Sequence, residues 1–327
     1  MVADSDYRYC AFGLSVSSQV PLAELSPAIS GPSEAADISI HFETLPERSE
    51  SIGENHSIHV DGDDVSLTVH RVARYRIRGG KEISIDPYPN ASARNVRLFL
   101  LGSVFGVLCH QRGLLPLHAN AIVVNGQAVA FAGQQGIGKS TLAAHYQARG
   151  YRVLCDDVCV VSFDKGGRPL AWPGVPRLKL WRDAAETFGY DSSKLERVVD
   201  KLNKYNLPLT ASVAKGPFPV ARMYILSDRA AGAAMQIVPL TGSTAVQAIM
   251  SNTYRNIYLQ PMRLTGANFV QAALLAKSAR IFAAPRRRGY DVFAQEAARL
   301  ERHFTQGEPA AGLGGRALRR TMTPMRT

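Results

Sequence analysis

A chain of 327 residues has room for one large or two moderate domains, each with a sizeable core. Its 46% hydrophobic and 20% charged residues are the ordinary composition of a soluble globular protein, which excludes a chain too polar to fold. The formal charge of +11 is unevenly spread: residues 1–90 hold 7 Lys and Arg against 14 Asp and Glu, and the remainder holds 31 against 13.

An acidic front and a basic remainder suggest two units with different work. The basic one suits nucleotide phosphates and an acidic partner, and would also suit nucleic acid. The cysteines, Cys10, Cys109, Cys155 and Cys159, form no C-x-x-C pair and fit neither a zinc site nor a disulfide framework; free buried thiols are expected. Asp4 and Asp6 stand where a signal peptide would carry cations. The longest uncharged apolar stretch lies between Arg97 and Arg112, shorter than the roughly 20 residues a bilayer requires. A cytoplasmic protein with no membrane partner is expected.

In chain order, Tyr7–Val20 reads as one or two strands, and the Pro- and Ser-rich 22–35 as loop. Ile38–Phe42 alternates like a strand. Ser57–Val69 reads as a hairpin turning at Asp61-Gly62, and Arg71–Ile85 as another turning at Gly79-Gly80. Pro87 and Pro89 make a stiff break. From Ala93 to Gln111 the period becomes helical, with Val96, Leu100, Val104 and Val107 or Leu108 on one face, and Gly113 ends the helix. Leu117–Val124 and Gln127–Ala132 flank Asn125-Gly126, a type I′ hairpin signal. His118 opens this hairpin, where a packed strand residue is the simpler interpretation.

The hairpin feeds Gly133-Gln134-Gln135-Gly136-Ile137-Gly138-Lys139-Ser140-Thr141, with the G-x-x-x-x-G-K-[ST] spacing of a phosphate-binding loop. A buried strand precedes it, and a helix to Arg149 with Gly150 as its C-cap follows, the context this motif requires. Loop glycines let backbone N–H groups turn inward, and the helix N-terminus adds a partial positive charge. Lys139 can reach the β- and γ-phosphates, and the Ser140 hydroxyl can hold Mg²⁺.

Beyond the loop, Tyr151–Cys155 reads as a strand ending in Asp156-Asp157. One strand-end acid suffices for Mg²⁺; a second is free to act as general base toward a hydroxyl acceptor, unless both serve the metal or one caps a turn. Further strands are expected over 158–163, within 170–180, at 220–226 and at 234–238. Helices are expected over 183–190, from 245, over 268–284 and over 291–304, with 198–209 as loop and a disordered basic tail from 305.

His118, the loop from Gly133 to Ser140, Arg149-Gly150 and Asp156-Asp157 resemble, in order and spacing, the catalytic core of HPr kinase/phosphorylase, a bacterial serine kinase family. The likeness is close over 118–157 and loose beyond. It implies an α/β fold of α+β character, a P-loop kinase core of the HPr kinase/phosphoenolpyruvate carboxykinase-like type. It also implies ATP and Mg²⁺ as cofactors, with Lys139 on the phosphates and Ser140 and Asp157 on the metal. Asp156 would take the proton from the acceptor serine, with His118 tuning it. The family's acidic-Ile-Arg-Gly stretch is replaced here by Pro173–Trp181, which counts against phosphorylase activity and against HPr as substrate. Arg177 can still supply a positive charge there, although a structural or substrate-facing role suits it better.

The short β-domain, Leu114–Ala119 and Pro176–Trp181 together are similar to HPr kinase-like proteins found with lasso-peptide biosynthesis genes, which implies a precursor peptide as acceptor. The expected organisation is a small β-rich domain over 1–90, a catalytic domain over 91–304 and a tail over 305–327. The expected activity is transfer of the γ-phosphoryl group of ATP to a hydroxyl of a peptide or small protein. An HPr kinase/phosphorylase and a nucleotide-binding regulator without transfer are the alternatives. Nucleic acid is disfavoured because the basic residues are scattered and no recognition helix stands out. A homo-oligomer is left open.

Overall fold

The computed structural model describes residues 7–28, 35–46, 56–199, 202–209, 216–229 and 236–306. The front of the chain is one eight-stranded sheet. β1 (Tyr7–Ala11) and β2 (Leu14–Ser18) form a hairpin, with β3 (Ser26–Pro27) on its edge and β4 (Ile38–Phe42) parallel to β2. β5 (His56–Asp61), β6 (Asp64–Val69), β7 (Ala73–Arg78) and β8 (Glu82–Pro87) form an antiparallel meander, and β8 runs parallel to β4. The first turn of the meander is Gly62-Asp63, one residue later than the sequence suggests, because Asp61 and Asp64 close the ladder.

Alternate residues Val65, Leu67 and Val69, then Tyr75 and Ile77, then Ile83 and Ile85, are buried, as a one-sided sheet requires. α1 (Ala93–Phe99), a π turn over Leu100–Val104 and α2 (Phe105–Gln111) make one nearly continuous helix on that face. Its stripe of Val96, Leu100, Val104, Val107 and Leu108 joins the sheet's core.

The second sheet carries the phosphate-binding loop. β9 (Leu115–Leu117), β10 (Ala119–Val124) and β11 (Gln127–Gly133) lead into α3 (Lys139–Ala148), then β12 (Arg152–Cys155), β13 (Cys159–Phe163) and β14 (Pro169–Ala171). The β10–β11 turn is the expected type: Asn125 and Gly126 have φ of 49° and 73°. A small sheet of β15 (Arg177–Trp181), β16 (Glu196–Arg197) and β17 (Lys204–Pro208) follows, with α4 (Arg182–Thr187) in its first connection. β18 (Phe218–Asp228), β19 (Val238–Leu240), α5 (Gly242–Ser251), α6 (Thr265–Ser278), β20 (Arg280–Arg286) and α7 (Tyr290–Gln306) complete the chain. β11, β18 and β20 run parallel and adjacent, whereas β10 is antiparallel to β11. The carboxyl ends of parallel strands are where an open α/β sheet leaves a crevice.

Three expectations need correction. The apolar stretch 268–284 is not one helix: α6 stops at Ser278 and β20 begins at Arg280, between β18 and β19. Alanines hide the break, although Ile281-Phe282 ahead of Pro285 favours a strand. The expected loop over 198–209 contains β17, whose Tyr205, Asn206 and Leu207 are all buried, so no alternation marks it. The expected strand at 234–238 starts only at Val238; 234–235 lie outside the described residues. Helix α7 runs to Gln306, past the expected start of the tail, whose remainder over 307–327 also lies outside them. Among the described residues no helix is long and apolar enough to cross a membrane. Of the cysteines, Cys10 is exposed and the other three are buried; all four are free thiols.

Candidate active site

A cleft of about 1100 Å³ opens at the carboxyl ends of β11 and β18 and is lined by every residue from Gly133 to Thr141. His118, Asp157, Lys179, Lys204 and Arg255 line it as well, as do Arg286, Arg287 and Arg288. Lys139 is 7% exposed, and its Nζ donates to the carbonyls of Gly133 (2.7 Å) and Gln134 (3.1 Å). Among the described residues no carboxylate lies within ion-pairing distance of it. Burial therefore pushes its ammonium down to about 8. Asp157 and Asp156 oppose that fall from a distance without reversing it.

The acid pair is divided in its tasks. Ser140 Oγ donates to Asp156 Oδ1 at 2.9 Å, and the Lys179 backbone N–H donates to Asp156 Oδ2 at 2.8 Å. Asp156 is buried; burial, with the neighbouring Asp157 charge, raises its carboxyl above the usual range. Asp157 instead faces the cleft, in the left-handed region at φ 70°, a conformation that costs energy for a non-glycine residue and gathers at functional sites. Its Oδ2 accepts from Lys179 Nζ at 2.6 Å, and its Oδ1 lies 3.6 Å from His118 Nδ1. Burial alone would raise this carboxyl, but Lys179, with His118 and Lys204, outweighs it and holds the group below its usual range.

His118 occupies the one-residue break between β9 and β10, where its N–H donates to the Asn252 carbonyl at 2.7 Å. The Tyr254 ring lies 5.8 Å from its imidazole, and the Tyr254 carbonyl is held by the His110 ring at 3.0 Å. Burial, reinforced by Lys139, lowers His118 to about 4, so it is neutral near pH 7. His118 thus stands against Asp157, whereas the resemblance sets it beside Asp156, and Ser140 donates to Asp156, whereas the resemblance puts Ser140 and Asp157 on the metal.

Arg177, which a structural or substrate-facing role suits better than a phosphoryl-facing one, does not line the cleft. It is 8% exposed and its Nη1 lies 3.6 Å from Glu24 Oε1, which also accepts from Arg97 Nε at 2.9 Å. It ties the small three-stranded sheet to the front of the chain. Arg177→Met is expected to lower the melting temperature by a few degrees, because a buried ion pair is lost although Glu24 keeps Arg97, while Mg–ATP affinity stays unchanged. A scanning melt with calorimetry checks both; lost nucleotide binding in a folded variant would contradict the structural role.

The residues that sequence reasoning left without a role are Lys179, Lys204, Arg255 and Arg286. Lys204 sits on β17, the strand read as a loop, and Arg286 ends β20, the strand read as helix; no local motif marks either. Lys201 lies outside the described residues. Among the described residues no group of three or more His, Cys, Asp and Glu could hold a metal. Mg²⁺ does not need one, since it keeps several waters and binds through one or two protein oxygens plus phosphates. The Ser140–Asp156 pair beside Lys139 fits that arrangement.

No family model matches the sequence, and no curated protein matches it. Among solved structures the chain is similar to the Hpr(Ser) kinase/phosphatase from Coxiella burnetii, at 14% identity over 58% of this chain and 91% of that one, with a TM-score of 0.33.

Proposed function

We propose that this protein is an ATP- and Mg²⁺-dependent kinase that transfers the γ-phosphoryl group to a hydroxyl of a peptide or small protein. One observation carries the proposal. Lys139, buried with no carboxylate within ion-pairing distance among the described residues, lies beside the Ser140–Asp156 pair, and a second carboxylate, Asp157, faces the same cleft. The backbone of 133–140 and Lys139 would hold the phosphates. Ser140 and Asp156 would hold Mg²⁺, which supplies charge neutralisation across the phosphates when bound. Asp157 would accept the acceptor hydroxyl's proton on its Oδ1, the oxygen turned toward neutral His118. Lys179 keeps Asp157 ionised before the acceptor arrives. The roles of the two acids are thus the reverse of those the resemblance implies.

A lasso-type precursor peptide is the favoured acceptor, supported by the sequence likeness over 114–119 and 176–181. Incubation with γ-labelled ATP and candidate peptides tests the proposal: label on a serine or threonine supports it, and nucleotide binding without transfer to any peptide or protein acceptor favours a regulator. Phosphate-driven dephosphorylation of serine-phosphorylated HPr would favour the bifunctional enzyme instead.

Lys139 adds a pH dependence with a defined sign. Below about pH 7 it is charged with or without nucleotide, and affinity is flat with respect to this group. Above about pH 8 the empty protein has lost that proton and binding must recover it. Affinity for Mg–ATP is expected to fall, by up to about tenfold per pH unit, between pH 8 and 10. Calorimetry at pH 8.5 in buffers of different ionisation enthalpy should show proton uptake. Affinity unchanged from pH 7 to 9.5 would contradict the assignment.

A further inference from the structure

Arg286 stands at the carboxyl end of β20, two parallel strands away from the strand that leads into the phosphate loop. From there it reaches the loop itself: its Nη2 donates to the Ile137 carbonyl. It is 4% exposed, yet it lines the cleft. Its Nε is buried and has no acceptor among the described residues. Two acids act on it from a distance without pairing with it: Glu296 Oε1 is held by Arg229 while its Oε2 is left without a partner among the described residues, and Asp228 is paired with Arg288. The guanidinium lies 5.7 Å from the Phe293 ring, which shields one side of it from water. A guanidinium stays protonated even where burial lowers its pKa, as burial does here. A buried cation with no carboxylate within ion-pairing distance among the described residues carries a desolvation cost that an anion would relieve.

Gly138 strengthens the point. Its φ is 92°, and a Cβ there would overlap Arg286 Nη2. The glycine is required by its backbone conformation, and the movable tip of this arginine occupies the space that a Cβ would take. The loop and the end of β20 are thus in direct contact through this one side chain.

We propose that Arg286 is a second phosphate-binding cation of the nucleotide site, complementary to Lys139. In the nucleotide-free protein it rests on the Ile137 carbonyl. With nucleotide bound, its remaining N–H groups turn to the phosphate oxygens on the loop face away from Asp157. The inference rests on the nucleotide-binding reading above and adds a residue to it. A planar fork of donors suits phosphate oxygens better than a point charge does, so lysine is not an equivalent replacement.

The test compares full-length wild type, Arg286→Gln, Arg286→Lys and Arg286→Ala by calorimetry with Mg–ATP, Mg–ADP and adenosine, with circular dichroism and melting as controls on folding. Gln keeps a donor for Ile137 without the charge; Lys keeps the charge without the fork. Folded Gln and Ala variants are expected to lose about tenfold to hundredfold in ATP and ADP affinity. Lys should lose less, and adenosine binding should be unchanged. A folded variant that binds Mg–ATP like wild type would overturn the proposal. So would an equal loss for adenosine, which marks a general disturbance of the cleft, or unfolding of all three variants, which assigns Arg286 to the fold alone. Wild type that binds no nucleotide would instead remove the underlying nucleotide reading.

Discussion

Asp157→Asn is expected to reduce phosphoryl transfer by about 10²–10⁴-fold, the usual worth of a positioned general base, with Mg–ATP affinity changed little. The reason is geometric. Asp157 is the member of the acid pair that faces the cleft, and its left-handed backbone turns it there. Asp156 sits behind Ser140, where it accepts the hydroxyl and the Lys179 N–H. Asp156→Asn should therefore act differently, by raising the Mg²⁺ concentration needed for half-maximal rate. Single-turnover kinetics over a magnesium titration separate the two. Full activity in Asp157→Asn with transfer lost in Asp156→Asn would restore the roles implied by the sequence resemblance.

Lys139→Met should have opposite effects on function and on stability. The ammonium is held out of water by the loop it serves, and its fall from the ordinary lysine value to about 8 corresponds to a cost of roughly 3 kcal/mol near neutral pH. Methionine removes that cost at similar volume. The carbonyls of Gly133 and Gln134 lose a donor, at about 1 kcal/mol each, which offsets much of the gain. A melting temperature equal to or a few degrees above wild type is expected, with Mg–ATP affinity lower by at least about a hundredfold. Such a trade of stability for charge is common where a site must hold an anion. A melting temperature several degrees lower would mean that the lysine supports the fold and not the ligand.

The central loop and both its flanks were legible because their signals are local. Glycine spacing, a buried strand before the loop and a capped helix after it all fall within a short stretch. The front sheet was legible for the same reason: alternating Val, Leu and Ile with turns between them specify a hairpin without knowledge of its neighbours. The cleft's outer cations were not legible. Lys179, Lys204 and Arg286 come from three strands and Arg255 from the connection after α5, far apart in sequence and brought together only by the fold. The orientation of Asp156 and Asp157 was also out of reach. The two acids lie in a bend beyond the end of β12, with Asp157 left-handed at φ 70°, so strand alternation does not tell which of them meets Ser140.

Calorimetric titration of Mg–ATP into the pure, folded, full-length protein at pH 7 tests the core of the account most directly. A single site with a micromolar dissociation constant, lost in Lys139→Met, is the predicted result. Absence of any binding heat, with no thermal stabilisation by millimolar Mg–ATP, would contradict it.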